Sequence, residues 1–302
     1  MQTALTLPAA PRPRRARYAA SPDPDALPLV KWVGGKGSLW PRVSVLLPPV
    51  IRGTYYEPMV GGGATFFALA RAGRLAGPVV LSDVNPHLLA LYKAVQRAPE
   101  AVLRLLRDTE RRYDADAESV FYAEREALET ESADEETAAR VLFLNRTCFN
   151  GLWRVNSKGT FNAPWCRNNP RTRIVFAERV LACSRVLRGV TLLHADYREA
   201  LADVRQGDVV FLDPPYIPVS DTADFTAYAA GGFDDGAQVA IRDEANRLRH
   251  IGACVLACNA DVPRAWALWS GWPLAEVKAR RGVNSDPNKR GPVGELLIGG
   301  VS

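Results

Sequence analysis

The run DVVFLDPPY, Asp208 to Tyr216, ends an apolar, strand-like stretch on an acid, two prolines and a tyrosine. One reading is plain punctuation, because proline stops strands and aspartate favours turns. The other is chemical. A carboxylate at a strand end, Asp213, can accept one N–H of an exocyclic amine. The Pro214 carbonyl, its direction fixed by the proline pair, can accept the other. The nitrogen lone pair is then free to attack an electrophile. The face of Tyr216 would hold a base flat by stacking once the base has left its duplex. This set of residues suits direct methyl transfer to an amine, with no covalent intermediate.

Such a clamp needs a donor site beside it. GTYYEPMVGGGATFFALARAG reads as a short aromatic strand, three consecutive glycines (Gly61, Gly62, Gly63) and an apolar helix. That is the layout of a nucleotide-binding βα unit, in which the chain must approach a ligand closely; a simple tight turn would give the same text. Neither the dinucleotide fingerprint nor a GxxxxGK[ST] loop is present. GPVVLSDVNPHLLALYKAVQ follows, a buried strand ending at Asp83 and then a helix. Asp83 stands about 20 residues after the glycines, the position from which such sheets bind ribose hydroxyls. Asp83 or Asn85 could also cap the helix, and both roles can hold together.

A plain α/β chain would now return to a strand. Instead the next strand-like text is GVTLLHADYREAL, and residues 93–188 read as an insertion. Its first half is helical with a charged, solvated face. Its second half carries nine Lys or Arg between Val141 and Val190 against one acid, Glu178, interleaved with aromatics and Asn. Residues 152–162 resemble a β-hairpin with NSKG as the turn. A single-sign stripe among aromatics and amides fits phosphate binding with base contact. After the insertion come GDVVFLDPPY, a helix, the strand ACVLACNAD, and a basic loop joining two short strands.

The chain has 302 residues, 47% of them apolar, and a net charge of +5, enough for a large core and a mild preference for polyanions. Its five cysteines are scattered and odd in number, which argues against a disulfide scaffold and suits a reducing cytoplasm. The three histidines form no metal-ligand pattern, so no metal is expected. No apolar run reaches the roughly 20 residues of a membrane span. Residues 1–28, rich in Pro, Ala and Arg, are expected to be a disordered tail.

Taken together, KWVGGKGSL, YYEPMVGGGATFF, LSDVNPHLLALY, FLNRTCFNGLWRVNSKGTFNAPW, ADYREAL, FLDPPYIPVSDTADFTAY and RGVNSDPNKRGPVGELL resemble the DNA adenine-N6 methyltransferases of the Dam type. In that group the cofactor motifs precede the recognition insert and the DPPY motif. The resemblance covers Lys31 to about Ile298. It implies S-adenosyl-L-methionine as cofactor, with S-adenosyl-L-homocysteine as product. By position, Trp32 and Lys36 would lie against the cofactor and Gly61, Gly62 and Gly63 under its methionine part. Asp83 would take the ribose, Asp196 would face the adenine, and Asp213 would sit between cofactor and target amine. In the insert, Phe149, Asn150, Leu152, Arg154 and Pro164 match positions that enter or contact DNA, and Lys31 matches a further base-contacting position. Arg154 is the expected guanine reader, since arginine meets O6 and N7 with two hydrogen bonds. Arg146, Asn156, Lys158 and, in the closing basic loop, Arg290 complete the expected DNA-binding set. The family commonly targets GATC, which is the expected site here. Cys148 and Trp153 are variable positions within the recognition segment.

The expectation is therefore an α/β protein: a doubly wound, Rossmann-like methyltransferase sheet from residues 29–92 and 189–302, with residues 93–188 as a helical plus β-hairpin DNA-recognition domain. Its partner would be double-stranded DNA, with no membrane and no obligate protein partner, as a monomer in the cytoplasm. An N4-cytosine methyltransferase would need a similar clamp, but more often carries serine in place of Asp213 and lacks this recognition segment. A C5-cytosine enzyme needs a nucleophilic thiol, and no Pro-Cys pair occurs. A catalytically idle DNA-binding protein of the same fold is the alternative from a different class, and the intact Asp213–Tyr216 motif argues against it.

Overall fold

The computed structural model describes residues 17–300 apart from 131, 157, 168–172, 219–232 and 281–291. Five short strands run parallel: β1 (Tyr55–Glu57), β2 (Val79–Asp83), β3 (Thr191–His194), β4 (Val209–Leu212) and β5 (Cys254–Ala260). Two more, β6 (Leu274–Arg280) and β7 (Pro292–Gly299), pair antiparallel with each other, and β7 also runs antiparallel to β5. The sheet order is β3-β2-β1-β4-β5-β7-β6. The chain winds from β1 outward to β3, then returns to lay β4 against the other side of β1. That reversal is a topological switch point, and the crevice beyond the carboxyl ends of β1 and β4 is where open α/β sheets bind ligands.

Before β1 lies the short helix α1 (Trp40–Val43). Helices α2 (Ala64–Arg71) and α3 (Pro86–Arg97) follow β1 and β2. The insertion supplies α4 (Pro99–Ala115), α5 (Ala117–Ala127), α6 (Asp134–Thr147) and α7 (Ala177–Leu187). The second half of the chain adds α8 (Tyr197–Ala200), α9 (Asp235–His250) and α10 (Pro263–Leu268). Among the described residues no helix is long and apolar enough to cross a membrane.

The central strands β1, β2, β4 and β5 are buried on both faces, which is why they read as continuous apolar runs rather than alternating ones. Their side chains nevertheless divide with period two. Tyr55, Val79, Leu81, Val209, Phe211, Leu256 and Cys258 join the core under α2 to α7. Tyr56, Val80, Val210, Leu212, Val255 and Ala257 join the core under α8, α9 and α10. A one-residue slip in any strand would exchange these sets.

Two expected boundaries move. The division at residue 93 falls inside α3, which packs on α6 and α7 as well as on β2 and β3. One continuous core runs from β1 through α3 into Leu106, Phe121 and Phe143 of the insertion. Among the described residues the insertion is thus an outgrowth of one sheet face that shares its core. Residues 17–28, expected to be disordered, are packed. Tyr18 is buried and its hydroxyl donates to the Val186 carbonyl at 2.8 Å, while its ring meets Phe66 edge-on. Asp23 pairs with Arg185 at 2.6 Å and Ala26 is fully buried. Proline-rich composition hid two anchors, one aromatic at the start of that segment and one ionic in its middle.

Candidate active site

β1 and β4 are neighbours, with Tyr55 opposite Val209 and Tyr56 opposite Val210. The glycine turn after β1 and the DPPY segment after β4 therefore leave the sheet side by side, at the switch point. Gly61 and Gly63 both have left-handed backbones (φ 48° and 69°), a region that favours glycine. A Cβ on Gly61 would come within 2.7 Å of the Trp32 ring, and one on Gly62 within 2.9 Å of Trp32 Cβ. Trp32 roofs the turn, so the glycines are needed for close approach as well as for conformation.

The turn is held by the protein's own groups. Gly61 N–H donates to Asp83 Oδ2 at 2.9 Å, and the Gly61 carbonyl accepts from the Tyr92 hydroxyl at 2.7 Å. The other Asp83 oxygen accepts from Asn85 N–H at 2.9 Å. The helix cap is Asn85, whose side chain accepts from the backbone of His87 and Leu88. This leaves Asp83 as the acid at the carboxyl end of β2. Burial raises its carboxyl above the usual range despite the Gly61 and Asn85 donors. Asp196 lies on the same edge beyond β3, exposed, capping α8 through Arg198 N–H at 3.0 Å. The described residues contain no cluster of His, Cys, Asp and Glu suited to a metal.

Around Asp213 the side chains converge. The Lys36 ammonium lies 2.8 Å from Asp213 Oδ2, 3.8 Å from Glu295, and 4.9 Å from the centre of the Tyr216 ring. It also donates to the Gly34 carbonyl, which closes its own glycine loop. Burial alone would pull the ammonium down, but Asp213 and Glu295 outweigh it and hold Lys36 above the ordinary lysine value. The Tyr216 hydroxyl donates to Glu295 at 2.8 Å. Below this layer Glu57, 3% exposed, accepts from the Tyr55 hydroxyl at 2.7 Å. Burial pushes its carboxyl up to about 8.

The recognition segment is fastened to this site by one buried amide. Asn145 Oδ1 accepts from Lys31 N–H at 2.7 Å, and its Nδ2 donates to the carbonyls of Lys31 and Gly151. Lys31 is thereby held against the Phe149–Gly151 turn, where Phe149 is 48% exposed and Asn150 adopts φ 58°. Pro164 is exposed beside it, its carbonyl accepting from Phe149 N–H, and Leu152 is half-buried. The expected hairpin is present as a single bridge between Val155 and Phe161. Arg154 is exposed on it, its guanidinium bonded to the side chain and carbonyl of Asn162 at 2.8 and 3.0 Å. Lys158 is exposed at the turn.

Several expected residues lie elsewhere or do other work. Asn156 Oδ1 is occupied by the backbone of Lys158 and Thr160, so this amide shapes the turn. Arg146 is half-buried over the Phe176 ring at 4.3 Å, a ring also met by Arg173 and Arg179. Trp153 and Cys148 are 2% and 3% exposed, so variation there acts through packing. Trp153 stacks on Trp32 at 5.7 Å and joins the recognition segment to the roof of the glycine turn. Arg290 lies outside the described residues. Glu57, Glu295, Gln238 and Asn259 were not foreseen. Only Glu57 had a visible signal, an acid directly before the Pro-Met-Val-Gly-Gly-Gly turn.

A doubly wound sheet closed by an antiparallel strand pair, with a glycine turn and an acid–proline–proline–tyrosine segment meeting at its switch point, defines a Rossmann-like methyltransferase. Residues 32–283 match the D12 class N6 adenine-specific DNA methyltransferases, and the chain belongs to that family. It is a DNA methyltransferase specific for adenine N6. It is similar to the Type II methyltransferase M1.LlaDCHI of Lactococcus lactis subsp. cremoris, 34% identical over 278 residues, 90% of this chain and 94% of that protein. The Type II methyltransferase M.MjaIII of Methanocaldococcus jannaschii is 33% identical over 289 residues, covering 91% and 99%. A DNA adenine methylase of Vibrio cholerae serotype O1 is 31% identical over 272 residues, covering 89% and 94%.

Proposed function

We propose that the methyl donor is S-adenosyl-L-methionine and that the target is an adenine swung out of duplex DNA at GATC. The observation that carries this reading is the adjacency of two strand ends. The glycine turn after β1 and Asp213 after β4 are set side by side by the β1–β4 pairing. The residues present fit the cofactor. Gly61 and Gly62 have no room for a Cβ beneath Trp32, Gly63 has none against Phe67 and Tyr92, and Asp83 and Asp196 stand at the edge where ribose and adenine would lie.

When bound, the cofactor supplies a methyl group on a sulfonium. The chain does the rest by orientation. Asp213 accepts one N6–H of the adenine, the Pro214 carbonyl accepts the other, and the lone pair is turned toward the methyl group. Tyr216, tethered through Glu295, is the platform on which the base rests. The new N–C bond forms as the methyl–sulfur bond breaks, its electron pair staying on the departing thioether sulfur; the nitrogen is left with one proton too many, which passes to Asp213 and then to water. Lys36 keeps Asp213 as an acceptor, and Asp213 and Glu295 together leave the site net negative, complementary to a sulfonium. On the DNA side, Lys31, Phe149, Asn150, Leu152, Arg154 and Pro164 form the base-contacting surface, and Lys158 meets phosphate. Cytoplasmic residence and action as a monomer suit this mechanism.

The test uses purified protein, tritiated-methyl S-adenosyl-L-methionine and duplex DNA, with nucleoside digestion and modified-base sequencing. N6-methyladenine confined to GATC is the expected result. Label at another short motif would overturn the target. No label despite binding of both partners would overturn the activity.

A further inference from the structure

Two buried carboxamides beneath the DPPY segment have no part in the chemistry described so far. Gln238, 3% exposed on the first turn of α9, donates through Nε2 to the Pro215 carbonyl at 2.7 Å. Its Oε1 accepts from Asn259 Nδ2 at 3.0 Å. Asn259, fully buried at the carboxyl end of β5, accepts through Oδ1 from Ile217 N–H at 3.0 Å and from Ala260 N–H at 2.8 Å. The orientation of both amides is forced by their fixed partners. A backbone carbonyl demands an N–H from Gln238, two backbone N–H groups demand the oxygen of Asn259, and the remaining pair is then complementary.

The two backbone groups held in this way are the carbonyl before Tyr216 and the N–H after it. The third tether is the Tyr216 hydroxyl, which donates to Glu295 at 2.8 Å. Tyr216 is therefore fixed on both sides of its backbone and at the tip of its ring. The surroundings are apolar, with Ile217, Ile241, Leu212 and Ala257 in the same core. Two carboxamides in such a place cost free energy unless fully bonded, and aliphatic side chains would fill the space without that demand. Their arrangement is an investment in direction.

We infer that Gln238 and Asn259 form one positioning device, which sets the plane of the Tyr216 ring and with it the approach of the adenine N6 to the methyl group. The inference rests on the proposed clamp and extends it. Both amides act through the Pro215 and Ile217 peptide groups, and their effect falls on the chemical step.

The variant that tests this is Gln238→Glu. It keeps the shape and the acceptor for Asn259 but, when ionised, turns an oxygen rather than an N–H toward the Pro215 carbonyl. Protonation restores a donor there, and burial raises a carboxyl enough to bring this into the working pH range. Single-turnover methylation, measured as label transferred to any base, should fall on the order of 10- to 100-fold at pH 8. The ratio to wild type should recover as pH is lowered. Cofactor and DNA dissociation constants should stay near wild type, and 2-aminopurine at the target should report changed stacking of the extruded base. Gln238→Met, with neither donor nor acceptor, should show the same loss without pH recovery. A wild-type rate for Gln238→Met, or a loss for Gln238→Glu that is equal at every pH, would overturn the device. Label on cytosine in the wild-type control would overturn the proposed adenine target while leaving the clamp and the pH comparison intact.

Discussion

The Lys36 ammonium and the Asp213 carboxylate form a 2.8 Å ion pair, with Lys36 3% and Asp213 21% exposed. The acceptor proposed for the adenine amine is thus held by a cation 177 positions earlier in the sequence (213 − 36). Removing one member of a buried pair leaves its partner uncompensated and costs about 3–5 kcal/mol. Lys36→Met should lose stability of that order in urea unfolding, because Asp213 and Glu295 would then face each other without a cation. A change below about 1 kcal/mol, the scale of an exposed pair, would contradict this account.

Glu57 gives stability a pH dependence. Burial raises its carboxyl from 4.5 to about 8 in the folded protein. The folded chain therefore keeps a proton that the unfolded chain releases. The stabilisation from neutral Glu57 is complete below pH 4.5 and is lost as pH rises through about 8. Replacement by Gln removes the titration. The Glu57→Gln unfolding profile should be flatter across that window, by up to about 1.4 kcal/mol per pH unit. Parallel profiles would show that Glu57 is ionised in the fold.

Asp83 anchors Gly61 in the glycine turn proposed to hold the cofactor. Asp83→Ala should weaken cofactor binding by about 1–3 kcal/mol, the cost of leaving such a donor without its acceptor. DNA affinity should change far less. Calorimetric titration of each ligand separates the two, and an equal loss in both would mean general loosening.

Arg154 stands exposed on the hairpin with its fork oriented by Asn162. Arg154→Ala should relax base choice at one position, at about 1–3 kcal/mol of discrimination. Competition between duplexes altered one base pair at a time measures this. Uniform weakening across all sequences would make Arg154 a phosphate contact.

What could be read from sequence was local. The glycine turn, the acid ending β2 and the DPPY segment each carry their meaning within a few residues, and their strand ends meet because parallel strands share one carboxyl edge. The Gln238–Asn259 pair could not be read, because a bond between single amides 21 positions apart leaves no spacing pattern. Packing was equally hidden. Nothing in its neighbours marks Trp153 as a core residue stacked on Trp32, and a proline-rich stretch conceals the burial of Tyr18. The insertion was recognised from its missing strand, but its boundary was not, since α3 is one uninterrupted helix serving both sides.

The most direct test of the clamp is Asp213→Ala in single turnover, with DNA and cofactor affinities measured in parallel on the same preparation. The account predicts that methyl transfer is lost while DNA binding stays close to wild type. Methyl transfer at a rate near that of the wild type would show that Asp213 does not hold the adenine amine.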